Sequence, residues 1–350
     1  MFSGEQVRLA MATVHAAMPP TPQYAWPLLR ERLGFTVWVK HENHTPAGAF
    51  KVRGGLTYFE TLAREQPALA GVISATRGNH GQSVGLAARR HGLAATIVVP
   101  KENSSEKNAA MRALGVTLVE HGDDFQAARE HAIALAVAQG LHMVPSFHTE
   151  LIRGVMTGWV EFFESFGPGA EPHVLFVPIG LGSGFCAAAA ARAYTGVTTR
   201  LVGVVSAHAT SYLDSFRQRK VVEAPVSTQL ADGMACRIAD AQALEIVLAQ
   251  ADDVIAVTDE EVAHAMRVLF ADTHNVAEGA GAAALAAAIQ QRDRWQGGAV
   301  GVALSGGNVD SDVFARVLAG TADTRRLITP VCRSGSSGCR VTAAPSAAAG

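Results

Sequence analysis

At 350 residues the chain exceeds what one compact core usually holds, so one large or two modest domains are expected. Apolar residues make up 49% of it and the formal charge is only -2, which leaves no basic excess to grip a polyphosphate backbone and argues against nucleic acid as a partner. The four cysteines, Cys186, Cys236, Cys332 and Cys339, show no C-x-x-C pair, which points to a reducing cytosol and no zinc site.

The N-terminus lacks the basic and apolar pattern of a signal peptide, so a cytoplasmic location is expected. Strand-type apolar runs follow at 36–39, 71–75, 95–99, 116–120, 174–177, 201–205, 254–257 and 299–304. Helix-like segments fall between most of them, at 81–90, 106–114, 125–138, 260–270 and 279–290. Such alternation predicts an α/β fold of parallel βαβ units with both sheet faces covered. Residues 46–143 read as a compact four-strand unit, and 174–319 as a second sheet that the N-terminal arm is expected to join. Two lobes with a cleft result: 1–45 with 144–330 as the large domain, and 46–143 as a small, mobile one. Between 151 and 163, Gly154 and Gly158 suggest a helix packed closely on a neighbour. The longest stretch free of charged residues, 173–191, is broken by Pro178 and three glycines, so it reads as strand, turn and Ala-rich helix rather than a membrane span. The Ser/Gly/Ala-rich residues 331–350 read as a disordered tail, and no regulatory module is expected after Leu318.

Four segments carry chemistry. In the stretch 41–55, Lys51 sits between a Pro/Gly turn and a helix-like segment, with Phe50 before it and Arg53 after it. A lysine attacks an aldehyde only when desolvation or nearby cations lower its amine pKa, and taken alone this one reads as a solvated residue at a helix start. His41 and His44 in the same stretch are three apart at a strand end, whereas zinc on a helix needs histidines four apart. The second segment, 74–80, follows a strand-type run; its Thr76, Arg77, Gly78, Asn79 and His80 offer polar groups and exposed amides suited to a carboxylate or a ring hydroxyl, or merely a helix cap. In the third, Gly180, Leu181, Gly182, Ser183 and Gly184 join a strand to an Ala-rich helix, where backbone N–H groups and the positive helix end gather around a phosphate. Phe185 stands where the dinucleotide motif would have its third glycine, and no acidic residue lies about 20 positions on, so a small cofactor with one phosphate suits the loop better than a nucleotide. The fourth, Ser305 to Asn308, ends the last strand, where an open α/β sheet places its ligand crevice.

With those residues in their order, the chain resembles the fold-type II pyridoxal 5'-phosphate enzymes, whose architecture is that of the tryptophan synthase β chain, in the branch of threonine and serine dehydratases and serine racemase. The resemblance spans roughly residues 21–318. It implies that Lys51 is the Schiff-base lysine, that Phe50 and Asn79 contact the pyridine ring and its hydroxyl, and that Gly180 to Gly184 hold the phosphate. It also implies Ser305 at the pyridine nitrogen, Glu278 at the cofactor edge, and a large domain that carries the cofactor. The expected reaction is β-elimination of a β-hydroxy-α-amino acid such as threonine or serine to a 2-oxo acid and ammonia. A hydroxyl at the pyridine nitrogen carries no negative charge, so less charge spreads into the ring, which favours prompt loss of the β-substituent over transamination.

Two positions depart from the branch. Racemase-like members carry a Ser-Ser-Gly-Asn loop whose second serine works on the opposite cofactor face; here that position is Arg77, a guanidinium that stays protonated and is a poor acid or base. Arg77 instead suits a substrate with a second carboxylate or an aromatic ring, so 3-hydroxyaspartate and phenylserine stand beside threonine as candidates and racemisation ranks lower. The branch's metal site needs a Glu and an Asp where this chain has Val205 and Ser211, so no metal is expected there. The sequence leaves oligomeric state open, with a homodimer as the working expectation.

Overall fold

The computed structural model describes residues 2–320; the sequence reading of the tail, and Cys332 and Cys339, lie outside the described residues. The described residues build ten strands: β1 (Gln23–Ala25), β2 (Thr36–His41), β3 (Gly71–Ala75), β4 (Ala94–Val99), β5 (Thr117–Glu120), β6 (His142–Met143), β7 (Val174–Pro178), β8 (Arg200–Ser206), β9 (Asp253–Val257) and β10 (Ala299–Leu304). They form two open sheets. One has six strands in the order β1-β2-β10-β7-β8-β9, and the other four in the order β5-β4-β3-β6. Every pairing is parallel except the edge pair of β1 with β2.

Parallel strands need crossovers, and here they are helices whose ends the sequence marks. Asp124 caps the helix Phe125–Gln139, and Gly140 at φ 63 closes it. Thr258 and Glu261 form a capping box on the helix Asp259–Thr273, which therefore starts earlier and runs longer than its apolar stripe alone indicates. Two strands, β1 and β6, are too short to show an apolar run, and only the tertiary structure reveals them.

Both faces of the six-stranded sheet are covered. The Ala-rich helix Gly279–Gln290 lies on one face with Val37, Val39, Phe176, Val204 and Val302; the helices Thr149–Glu164 and Ser183–Thr195 cover the other with Leu175, Val177 and Leu201. Small side chains allow close approach. A Cβ on Gly154 would stand 2.1 Å from Arg53 O, which is where the helix Thr149–Glu164 touches the helix Lys51–Glu65.

Beneath that contact lies a buried charge cluster. Arg53, 0% exposed, donates from Nε to Glu42 (2.7 Å), from Nη1 to Glu161 (2.7 Å) and Thr157 (3.0 Å), and from Nη2 to Thr21 (3.1 Å). Lys40 Nζ completes the cluster with bonds to Glu161 (2.7 Å) and Thr21 O (2.8 Å). Burial alone would raise the Glu161 carboxyl, but Arg53 and Lys40 hold it down to about 2. Two cations and two carboxylates thus tie β2, the Thr149–Glu164 helix and the segment before β1 to the helix that begins with Lys51.

Candidate active site

The four chemical segments emerge at the C-terminal ends of strands. Thr76 follows β3, Gly180 follows β7, Ser305 follows β10, and Lys51 comes a turn after β2. In open parallel sheets that edge is where ligands sit, because the loops there meet helix N-termini. A cleft runs between them, lined by Phe50, Lys51, Asn79, Gly180 to Gly184, Met234, Glu278 and Ser305, and also by Lys40 and Glu42.

Lys51 is the first residue of its helix. The preceding segment is fixed to the β10 end: Phe50 N donates to Ser305 O (3.0 Å), Ala49 pairs with Gly306, and Gly307 N donates to Gly48 O (2.9 Å). Protein atoms enclose the Lys51 side chain except where it faces the cleft, and its Nζ sits 5.0 Å from the centre of the Phe50 ring. Burial pulls the amine down to about 8, only partly opposed by the Glu278 carboxylate. An amine with that value is a competent nucleophile and base near neutral pH.

Across the cleft, Gly182 caps the helix Ser183–Thr195 with φ 100, and no side chain bonds the helix start. A Cβ on Gly182 would stand 2.6 Å from Ala243 Cβ and 2.9 Å from the Tyr212 hydroxyl, and one on Gly180 only 2.4 Å from Gly233 O. The loop is therefore closed behind by protein and open in front, with first-turn N–H groups aimed outward. Tyr212 braces it by donating to Leu181 O (2.8 Å).

Asn79 begins its own helix and bridges the two sheets. Its Nδ2 donates to Glu278 Oε1 (2.6 Å), and its Oδ1 accepts from Asn308 (2.8 Å). Thr76 Oγ1 accepts from Gly78 N (3.0 Å), which turns the loop. His80 is buried, its ring held neutral by burial and by the nearby Lys51, which lower it to about 3; its Nε2 has no hydrogen-bond partner among the described residues. Glu278 is buried with its carboxyl pushed up by burial, although Lys107 Nζ lies 3.6 Å away. Ser305 Oγ stands 3.3 Å from Ala280 O.

The structure thus brings Phe50, Lys51, Asn79, Gly180, Leu181, Gly182, Ser183, Gly184, Glu278 and Ser305 together on one cleft. Thr76, Gly78 and His80 lie behind Asn79, and Arg77 is exposed on the same loop. Val205 is buried, and Ser211 Oγ donates to Cys236 O (2.7 Å). Sequence reasoning passed over Tyr212, which bonds Leu181 across 31 positions, and Lys107 and Asp232, which pair with each other across 125, so no local pattern marks them.

The residues fit pyridoxal phosphate: a glycine loop whose Gly180 and Gly182 leave no room for a Cβ against the protein behind them, a desolvated lysine, and a neutral hydroxyl and carboxamide, all on one cleft. Fold and site together define an α/β enzyme of two open, mostly parallel sheets with a desolvated lysine on its cleft. The chain belongs to the family of pyridoxal-phosphate dependent enzymes, whose model matches residues 14–306. It is 35% identical over 290 residues to the L-threonine ammonia-lyase of Geobacter sulfurreducens, covering 82% of this chain and 71% of that one. It is 29% identical over 304 residues to the L-threo-3-hydroxyaspartate ammonia-lyase of Saccharomyces cerevisiae, covering 87% and 92%. Among solved structures, threonine deaminase isoform 2 of Solanum lycopersicum superposes with a TM-score of 0.82 at 26% identity, covering 91% of this chain and 95% of that one. The expectation of a fold-type II pyridoxal-phosphate enzyme holds.

Proposed function

We propose that the protein is an ammonia-lyase that dehydrates a β-hydroxy-α-amino acid, threonine or serine first, to a 2-oxo acid and ammonia. The observation that carries this reading is Lys51: a desolvated, half-buried amine lowered to about 8, on the same cleft as the glycine loop. Gly180 to Gly184 would hold the phosphate through backbone N–H groups, and Phe50, Asn79 and Glu278, which line the same cleft, would contact the rest of the cofactor. When bound, pyridoxal phosphate supplies an electron sink for the charge left as the substrate's α-proton departs. Lys51, as the free amine, would take that proton. Asn79 would meet the substrate carboxylate from the cleft wall, with Thr76, Gly78 and the uncharged His80 shaping the loop behind it. Ser305 would offer a hydroxyl rather than a carboxylate to the pyridine nitrogen, which would favour elimination.

Racemisation needs an acid opposite Lys51, and Arg77 cannot serve as one. Arg77 is exposed with no carboxylate partner among the described residues, so it is available to a second carboxylate on the substrate. That favours 3-hydroxyaspartate as the alternative substrate, ahead of phenylserine. The division into a large cofactor domain (1–45 and 144–330) and a small mobile domain (46–143) belongs to the same proposal, as do a cytoplasmic location and a homodimer. No helix among the described residues is long and apolar enough to cross a membrane.

The test is 2-oxo acid formation from threonine, serine, 3-hydroxyaspartate and phenylserine in both configurations, for wild type and Arg77→Ala. Threonine or serine is expected to lead, with Arg77→Ala losing about tenfold on 3-hydroxyaspartate alone, the worth of one charged hydrogen bond. No oxo acid from any of them would remove the lyase reading, and equal losses on all would remove the role of Arg77.

A further inference from the structure

The cofactor cleft leaves Lys107 outside its lining, yet this lysine joins both sides of it. Lys107 belongs to the helix Ser105–Ala113, which crosses between β4 and β5 of the four-stranded sheet. Its partners belong to the part of the chain built on the other sheet: Asp232 opens the short turn Asp232–Met234, and Glu278 precedes the helix Gly279–Gln290. Nζ donates to Asp232 Oδ2 (2.8 Å) and lies 3.6 Å from Glu278 Oε2. Its aliphatic chain packs so closely on the 76–80 loop that a Cβ on Gly78 would stand 2.6 Å from Lys107 Cδ. Lys107 is buried although it carries a charge.

The same helix start makes two more contacts with the far side. Ser104, its cap, donates to Asp310, and Glu106 accepts from Ser311 N (3.1 Å). Of these contacts, only the one through Lys107 reaches a residue that lines the cleft. Glu278 accepts from Asn79 on one oxygen and faces Lys107 with the other. A single carboxylate therefore receives the substrate loop directly and, through Lys107, the helix that backs that loop.

We propose that Lys107 is a positioning residue for the proposed lyase reaction: its bridge to Asp232 and Glu278 holds the 76–80 loop closed over the cleft before substrate arrives. The proposal rests on the substrate loop assigned above. Its physical content is preorganisation. If the loop is held ready, substrate binding need not supply the free energy of closing the lobes; if the bridge is cut, apparent affinity falls by the fraction of molecules left closed, while saturating substrate still reaches the closed state. The bridge therefore acts on KM and leaves kcat nearly untouched.

The experiment uses holoenzyme of the wild type, Lys107→Met, Lys107→Arg and Asp232→Asn. Steady-state kinetics on threonine are combined with amide hydrogen exchange of residues 76–82 in the absence of substrate. Lys107→Met and Asp232→Asn are expected to raise KM about tenfold with kcat within about twofold, and to speed exchange of the loop by about tenfold. Lys107→Arg, which keeps the charge, is expected to recover most of both. Asp232 is partly exposed, with its side chain 41% accessible, so its neutral variant tests the bridge even where Lys107→Met folds poorly. Loop exchange unchanged in Asp232→Asn, or kcat and KM failing together, would overturn the proposal. Exchange needs no turnover, so a wild type inactive on threonine would count against the substrate reading and leave the bridge to be judged on its own.

Discussion

Lys51 gives a prediction that needs no substrate. An ordinary lysine has its midpoint at 10.5, and burial moves this one to about 8. Each pH unit is a factor of ten in the amine fraction, so near pH 7 about 300 times more of Lys51 is unprotonated than of a solvated lysine. In cofactor-free protein, modification by a lysine-selective acylating reagent, followed peptide by peptide with mass spectrometry, should rise with pH and level off above about 8 at Lys51, while exposed lysines such as Lys101 are still climbing. Glu278→Gln removes the neighbouring charge that holds the value up, so its midpoint should fall below that of the wild type. A Lys51 midpoint near 10.5, or a rise in Glu278→Gln, would refute the claim that burial activates this residue.

Other consequences concern the frame around it. Arg53→Met strands Glu42 and Glu161 with Lys40 alone and is expected to cost about 3–5 kcal/mol in urea unfolding, part of it recovered in the double variant with Glu42→Gln. Glu161 is held at about 2, below the usual 4.5, so its contribution to stability should be complete above pH 4.5 and fade as pH falls toward 2. Gly182→Ala places a Cβ at φ 100 against Ala243 and Tyr212; the strain of about 1–2 kcal/mol should appear as roughly tenfold weaker cofactor binding by equilibrium dialysis.

Legibility in the sequence followed the range of the interaction. The βαβ alternation was plain because the central parallel strands are buried on both faces and read as unbroken apolar runs, as at 174–177 and 299–304. The glycine loop and Lys51 were visible because a strand, a turn and a helix start must be adjacent in the chain to make them. Brackets across the fold were not. Tyr212 supports Leu181 from 31 positions on, and Lys107 meets Asp232 over 125 positions, so neither leaves a local mark. Arg53 stood beside Lys51 in the sequence, but its burial depends on Glu161 from another helix, 108 positions away. The short strands β1 and β6 exist only because longer neighbours offer them unpaired edges.

The central claim is that Lys51 and the glycine loop form one cofactor site. The most direct measurement is the visible absorption spectrum of the protein purified with pyridoxal phosphate, compared with that of Lys51→Ala under the same conditions. Wild type should be yellow and lose its colour on borohydride treatment, with the reduced cofactor then found on the peptide containing Lys51. Lys51→Ala should carry no such adduct. A colourless wild type that takes up no pyridoxal phosphate, or an adduct mapped to another lysine, would contradict the account.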